Sequence, residues 1–151
     1  MALPDCFDPE ETGRLLARLA ALRPESTPLW GKLDAAQMLA HCCIPYEQID
    51  GTRGAGPLLA RLAGRYVFKG AVVSEKPYRH NLPSPKSFLI ADTREFQKEF
   101  ERLTAFIRST HGRGAAAFEG RAHITFGPLS AREWSNLLWK HLDHHLRQFG
   151  V

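Results

Sequence analysis

The sequence predicts an all-α protein, a four-helix bundle occupying residues 1–151 as one domain, and three observations carry that prediction. Apolar residues recur at spacings of three and four in several separate stretches. Three of those stretches open on a capping box, in which Asp34, Asp92 or Ser130 is followed three residues later by Gln37, Glu95 or Glu133. No stretch shows the sustained alternation of a half-buried strand.

Taken in order, Asp8 is an N-cap, Pro9 suits the first helical position, and Glu10 and Glu11 favour the positive end of a helix dipole. Leu15, Leu16, Leu19 and Leu22 continue that helix to about Leu22, where Pro24, Pro28 and Gly31 break the chain. Asp34 with Gln37 opens a second helix, whose Ala35, Met38, Leu39, Cys42, Tyr46 and Ile49 form one apolar stripe. Pro45 has no N–H for the carbonyl of His41, so a kink or a loosened turn is expected beside that histidine. Pro57 to Phe68 has a shorter helical pattern in Leu58, Leu59, Leu62 and Tyr66. The run SEKPYRHNLPSPKS, residues 74–87, contains three prolines and reads as a long extended loop, the kind of segment that lies over a functional opening. Asp92 with Glu95 opens the next helix, which uses Phe96, Phe100, Leu103, Phe106 and Ile107 and ends near His111 and Gly112. GRGAAAFEGRAHITFGPL crosses over as loop with a short extended piece, and Ser130 with Glu133 starts the final helix.

The net charge of +4 is spread along the chain without a block of like charges, so no specific nucleic-acid partner is expected. Acidic residues stand where a signal peptide needs basic ones, and no apolar run reaches the length of a membrane span. The expected location is cytoplasmic, with no membrane partner. Cys6, Cys42 and Cys43 are odd in number and lack CxxC spacing, which suits thiols in a reducing compartment. Cys42 falls on the apolar stripe and reads as a small core residue, with Cys43 pointing elsewhere.

The strongest chemical signal is the run KHLDHHLRQF in the final helix. His141 and His145 are four apart and lie on one face, in line with Trp134, Leu137, Leu138 and Gln148. Interior imidazoles need partners for both ring nitrogens, and a pair aimed at the same space is well satisfied by a metal ion. An isolated HxxxH is also explained by one hydrogen-bonded core histidine and one rim histidine. His41, between Met38 and Cys42 on the second helix, supplies a third interior imidazole, giving a facial site with positions left for water or substrate. His144 projects roughly 100° away from His145 and reads as a solvated residue. His80, His111 and His123 fall in predicted loops. The chain has no Glu-x-x-His and no HExxH, which argues against a di-iron carboxylate centre and a zincin.

WGKLDAAQMLAHC and FGPLSAREWSNLLWKHLDHHLRQFG resemble the DinB/YfiT-like metalloenzyme superfamily, in particular a branch whose members end in a KHLDHHLRQFG-like helix. Residues 51–90 match no pattern in that resemblance. The resemblance implies a four-helix bundle of up-down-down-up topology and a divalent metal, nickel or zinc, held by one histidine from the second bundle helix and two from a later HxxxH. Carried onto this chain, these are His41, His141 and His145. Gln148 matches a glutamine in the tail motif of related members, with Arg147 standing where they have glycine. Relatives similar in fold include thiol-dependent enzymes such as mycothiol-dependent maleylpyruvate isomerase and bacillithiol transferases.

Two function classes follow. The preferred one is a metal-dependent enzyme using zinc, nickel or iron to activate water or a low-molecular-weight thiol, acting on a small molecule as an S-transferase or hydrolase. The alternative is a non-enzymatic metal-containing interaction module, self-associating as a homodimer through Trp139 and the apolar residues of the first helix.

Overall fold

A computed structural model describes residues 2–54, 56–80 and 85–151 and shows a mostly helical protein with one small hairpin. The Asp8 carboxylate accepts from the backbone N–H groups of Glu10 and Glu11 and opens α1, Pro9–Ala21. Asp34 and Gln37 form the expected reciprocal capping box at the start of α2, Ala35–Ile49. The segment after it comprises α3 (Leu58–Ala63), a π turn over Gly64–Phe68, and α4 (Lys69–Val73). A 3-10 turn at Lys86–Phe88 precedes α5, Phe96–Arg113. The crossover contains a 3-10 turn, Ala115–Ala117, and a two-stranded antiparallel hairpin, β1 (Ala122–His123) against β2 (Gly127–Pro128). The last helix, α6, spans Ala131–Gln148 behind the Ser130–Glu133 capping box. Ser130→Ala removes the hydroxyl that accepts from the Glu133 N–H and is expected to cost about 1 kcal/mol of stability, read as a shift in a urea unfolding midpoint.

α1, α2, α5 and α6 pack around a shared core containing Leu15, Leu19, Met38, Leu39, Leu103, Ile107, Trp134, Leu142 and Leu146. Ion pairs tie α2 to α5, where Arg102 bridges Glu47 and the buried Glu99. Trp139 lies in this core at 8 % exposure, with its indole N–H donating to Glu11 Oε1 at 2.7 Å. It therefore offers no surface for self-association.

The structure corrects several local expectations. Asp92 does not cap α5: its carboxylate pairs with Arg94, and Glu95 stands at the N-cap without a side-chain bond. The helix ends at Arg113, close to the expected His111 and Gly112, and is followed by Gly114, whose φ of +70° lies in the region open to glycine. α2, which carries Pro45 within its span, is buried on nearly every side, Cys43 and Ile44 as fully as Met38 and Leu39. A helix enclosed all round shows no clean stripe. On α3 and the π turn the reverse holds, since Leu58, Leu59, Leu62 and Tyr66 are exposed.

Candidate metal centre

The site forms where α2 crosses α6. His41 is buried at 5 % exposure, while His141 and His145 are half-buried, and one ring nitrogen from each lies within 4.8 Å of the others. The structure thus assembles all three histidines singled out by spacing, and the remaining four histidines stand outside the group.

The hydrogen-bond partners decide which nitrogen of each ring is free. His41 Nδ1 is 2.8 Å from the carbonyl oxygen of Phe88, an acceptor only, so Nδ1 carries the proton and Nε2 keeps its lone pair. The Gln148 amide donates through Nε2 to the carbonyl oxygen of Trp30 at 2.6 Å, which turns Oε1 toward His145. His145 Nδ1 donates to that Oε1 at 2.8 Å, and its Nε2 is left with the lone pair. His141 Nε2 lies 3.1 Å from His41 Nε2. Two imidazole nitrogens about 2.0–2.1 Å from one tetrahedral ion would be about 3.3 Å apart, so this spacing fits a shared ion. The second-sphere acceptors hold the rings in the tautomer a metal requires.

The electrostatics agree with that donor set. Burial holds the His141 ring well below the usual histidine range, with His145, His41 and His144 adding to the effect. Burial likewise lowers His145 to about 3 and lowers His41, although Phe88 opposes the shift at His41 and Gln148 at His145. All three are neutral ligands at neutral pH. No carboxylate belongs to the group among the described residues, and nearby Asp143 is engaged by Arg18 at 2.8 Å and Arg147 at 3.0 Å. A divalent ion held only by imidazoles keeps its full positive charge for polarising a further ligand.

Aromatic groups flank one side of the cluster. Trp30 stacks on His80 with ring centroids 3.8 Å apart, and His144 meets Trp30, Tyr78 and His80 at 5.7, 5.8 and 6.1 Å. His144 is therefore a half-buried member of this aromatic group rather than a solvated residue. In the described parts of the loop spanning 74–87, Tyr78 and His80 meet His144, the neighbour of His145, while residues 81–84 fall outside the described residues. Lys140 fixes the start of this loop. Its ammonium donates to the carbonyl oxygens of Ala71 at 2.8 Å and Ser74 at 2.6 Å, over the Tyr78 ring, and burial lowers its pKa to about 8.

The other histidines have structural roles. His123 is buried in β1, where Nδ1 accepts from the backbone N–H groups of Thr125 and Phe126, and it stacks on Phe126. His111 sits in the last turn of α5, not in a loop, and bonds the carbonyl of Phe7. The cysteines are core thiols. Burial raises Cys6 and Cys43 to about 12 and Cys42 well above the ordinary thiol range.

Spacing alone missed the Phe88 carbonyl, Trp30 and Lys140. Only Gln148, three residues after His145, had a sequence signal for its contact. Gln148→Ala is expected to weaken divalent-metal affinity by about 10- to 100-fold with little change in helicity, measured by competition with a chromophoric chelator.

Fold and site together define a mostly helical protein whose three-histidine group could hold a metal ion. The chain belongs to the family described as Protein of unknown function (DUF1569), whose model matches residues 7–150 and so takes in the entire cluster. Neither a curated protein nor a solved structure matches the chain. No helix among the described residues is long and apolar enough to cross a membrane.

Proposed function

We propose that this chain is a metal-dependent enzyme of the DinB/YfiT-like type, a four-helix bundle of up-down-down-up topology in which His41, His141 and His145 hold zinc or nickel, with iron also accommodated by the donor set. The observation that supports this best is the pairing of His41 Nδ1 with the Phe88 carbonyl and of His145 Nδ1 with Gln148, which leaves metal-facing lone pairs on two helices. A bound divalent ion supplies Lewis acidity, lowering the pKa of water or a thiol in its open positions or polarising a substrate carbonyl.

The chain's own residues set the terms of that chemistry. Phe88 and Gln148 hold the rings in place, and Trp30 with His80 walls one side. Cys6, Cys42 and Cys43 are buried and held protonated, so none of them serves as the attacking thiolate. A thiol nucleophile would come from a low-molecular-weight cosubstrate, and an S-transferase ranks above a hydrolase only by analogy with the thiol-dependent enzymes that this sequence resembles.

The test is elemental analysis of protein purified without a histidine tag, followed by cobalt substitution. One ion per chain and a cobalt spectrum that changes on adding a small thiol or an anion support an open catalytic centre. Absence of stoichiometric metal overturns the reading, and a closed spectrum indifferent to added ligands favours the non-enzymatic module.

A further inference from the structure

The segment Leu58–Val73 lies on the surface with large apolar side chains uncovered. Leu58, Leu59, Leu62, Tyr66, Val67 and Phe68 are between 43 and 81 % exposed, and the cationic side chains of the same segment run along the surface beside them toward the hairpin and the start of α6. Arg61 donates to the carbonyl of Ile124, Arg65 lies against Gly127, and Lys69 reaches the Pro128 carbonyl and Glu133. An i, i+4 series drifts about 40° per step on an α-helix, and the wider π turn at Gly64–Phe68 takes up that drift. The turn thereby keeps Arg61, Arg65 and Lys69 in one row and brings Tyr66 and Val67 onto the same side as Leu58, Leu59 and Leu62. Gly64 permits the close approach, since a Cβ there would lie 2.6 Å from the Thr125 methyl.

Charge is concentrated where this apolar face is. Residues 51–90 carry seven Lys and Arg against the single acid Glu75, an excess larger than the +4 of the whole chain, so the rest of the molecule is net acidic. Exposed leucine and aromatic side chains bordered by such an excess match a surface that is anionic outside and apolar beneath. A second copy of the chain fits less well. A two-fold interface built on this face would set the same cationic segment against itself.

We propose that the Leu58–Val73 face docks the protein peripherally on an anionic lipid surface, with Leu59, Tyr66 and Val67 entering the headgroup region and the surrounding Lys and Arg meeting lipid phosphates. The sequence prompted no membrane partner because it contains no span, and peripheral docking requires none. Asn136 and Lys140 hold the carbonyls of Val73, Ala71 and Ser74, so the docking segment is anchored to the helix that carries His141 and His145.

The proposal is tested by sedimenting the full chain with vesicles of phosphatidylcholine alone and of phosphatidylcholine mixed with phosphatidylglycerol. The wild type is expected to partition onto the anionic vesicles, and the neutral double variant Leu59→Ser/Tyr66→Ser to lose at least about tenfold in partition, given the apolar area withdrawn. Circular dichroism and metal content of that variant should match the wild type, which separates this result from the fate of the metal reading. Failure to bind anionic vesicles, or equal partition of the variant, overturns the proposal. So does a wild-type dimer that the variant converts to monomer without any vesicle binding, since a second copy would then be the occupant.

Discussion

Alanine at His41, His141 or His145 is expected to weaken divalent-metal binding by on the order of a hundredfold to a thousandfold, far more than any other single substitution near the site. The magnitude follows from structural zinc sites, where roughly 10–16 kcal/mol is shared among about four ligands. The three positions should not behave alike in stability. His41 is the most enclosed and its ring is tied to Phe88 across to the segment before α5, so His41→Ala leaves a void and an unpaired carbonyl as well as a missing ligand. His141 has no second-sphere acceptor among the described hydrogen bonds, and its nitrogen faces His41 at 3.1 Å. His141→Ala should therefore lose the metal with the smaller loss of fold, which makes it the cleaner test. Binding measured by calorimetry, with circular dichroism to verify folding, decides the matter. A His141→Ala protein that keeps wild-type affinity removes this residue from the site. His144→Ala is the matched control, because its ring lies with Trp30, Tyr78 and His80 and contributes no nitrogen to the group.

Much of this could be read from the sequence because the relevant signals are local. The Ser130–Glu133 and Asp34–Gln37 boxes set helix starts within a few residues, and the four-residue interval between His141 and His145 fixes a shared face whatever the rest of the chain does. His41 was legible for a related reason, lying beside Met38 and Cys42 on a helix that had to be buried. Signals failed where a long-range contact outcompeted a local one. Asp92 and Glu95 have capping-box spacing, yet Arg94 between them draws the Asp92 carboxylate away. Lys140 sits where a helical lysine would ordinarily reach water, and only the carbonyl ends of α4, nearly seventy residues earlier, explain its burial. His123 looked like a loop histidine because the two N–H groups it accepts from belong to a tight turn with no sequence pattern of its own. The segment around Leu58 to Phe68 showed the opposite failure. Its apolar periodicity was real, but periodicity marks a face and does not say whether that face looks inward.

Metal-free protein should lose stability steeply as the pH is lowered from 7.5 to 5, and the histidines account for the direction. In the unfolded chain they titrate near 6.5. In the fold, burial lowers His145 to about 3 and His123 to about 4 and lowers His41 and His141 as well, with neighbouring histidines contributing at His145 and His141. Below about pH 6.5 the unfolded state therefore binds protons that the native state refuses, so stability falls with falling pH, down to about 4 for His123 and about 3 for His145. For His123 alone the loss between neutrality and pH 5 is about 2 kcal/mol. The physical obstacle there is specific: Nδ1 already accepts from Thr125 and Phe126, so a proton on that nitrogen breaks the turn that joins β1 to β2. His123→Gln keeps a neutral acceptor without a titration, and should flatten the pH profile by about that amount while lowering stability at pH 7.5. Added zinc should act on the other three. It binds only neutral imidazoles, and in the fold His145 stays neutral down to about pH 3, so its stabilisation should be nearly the same at pH 7.5 and at pH 5, with the holo-protein's pH profile running parallel to the apo-protein's. Urea unfolding at a series of pH values, with and without metal, tests both statements. An apo-protein equally stable at pH 7.5 and 5 would contradict the burial of these rings, and a zinc effect that fades between pH 7.5 and 5 would show that the three rings take up protons in the fold near the ordinary histidine range.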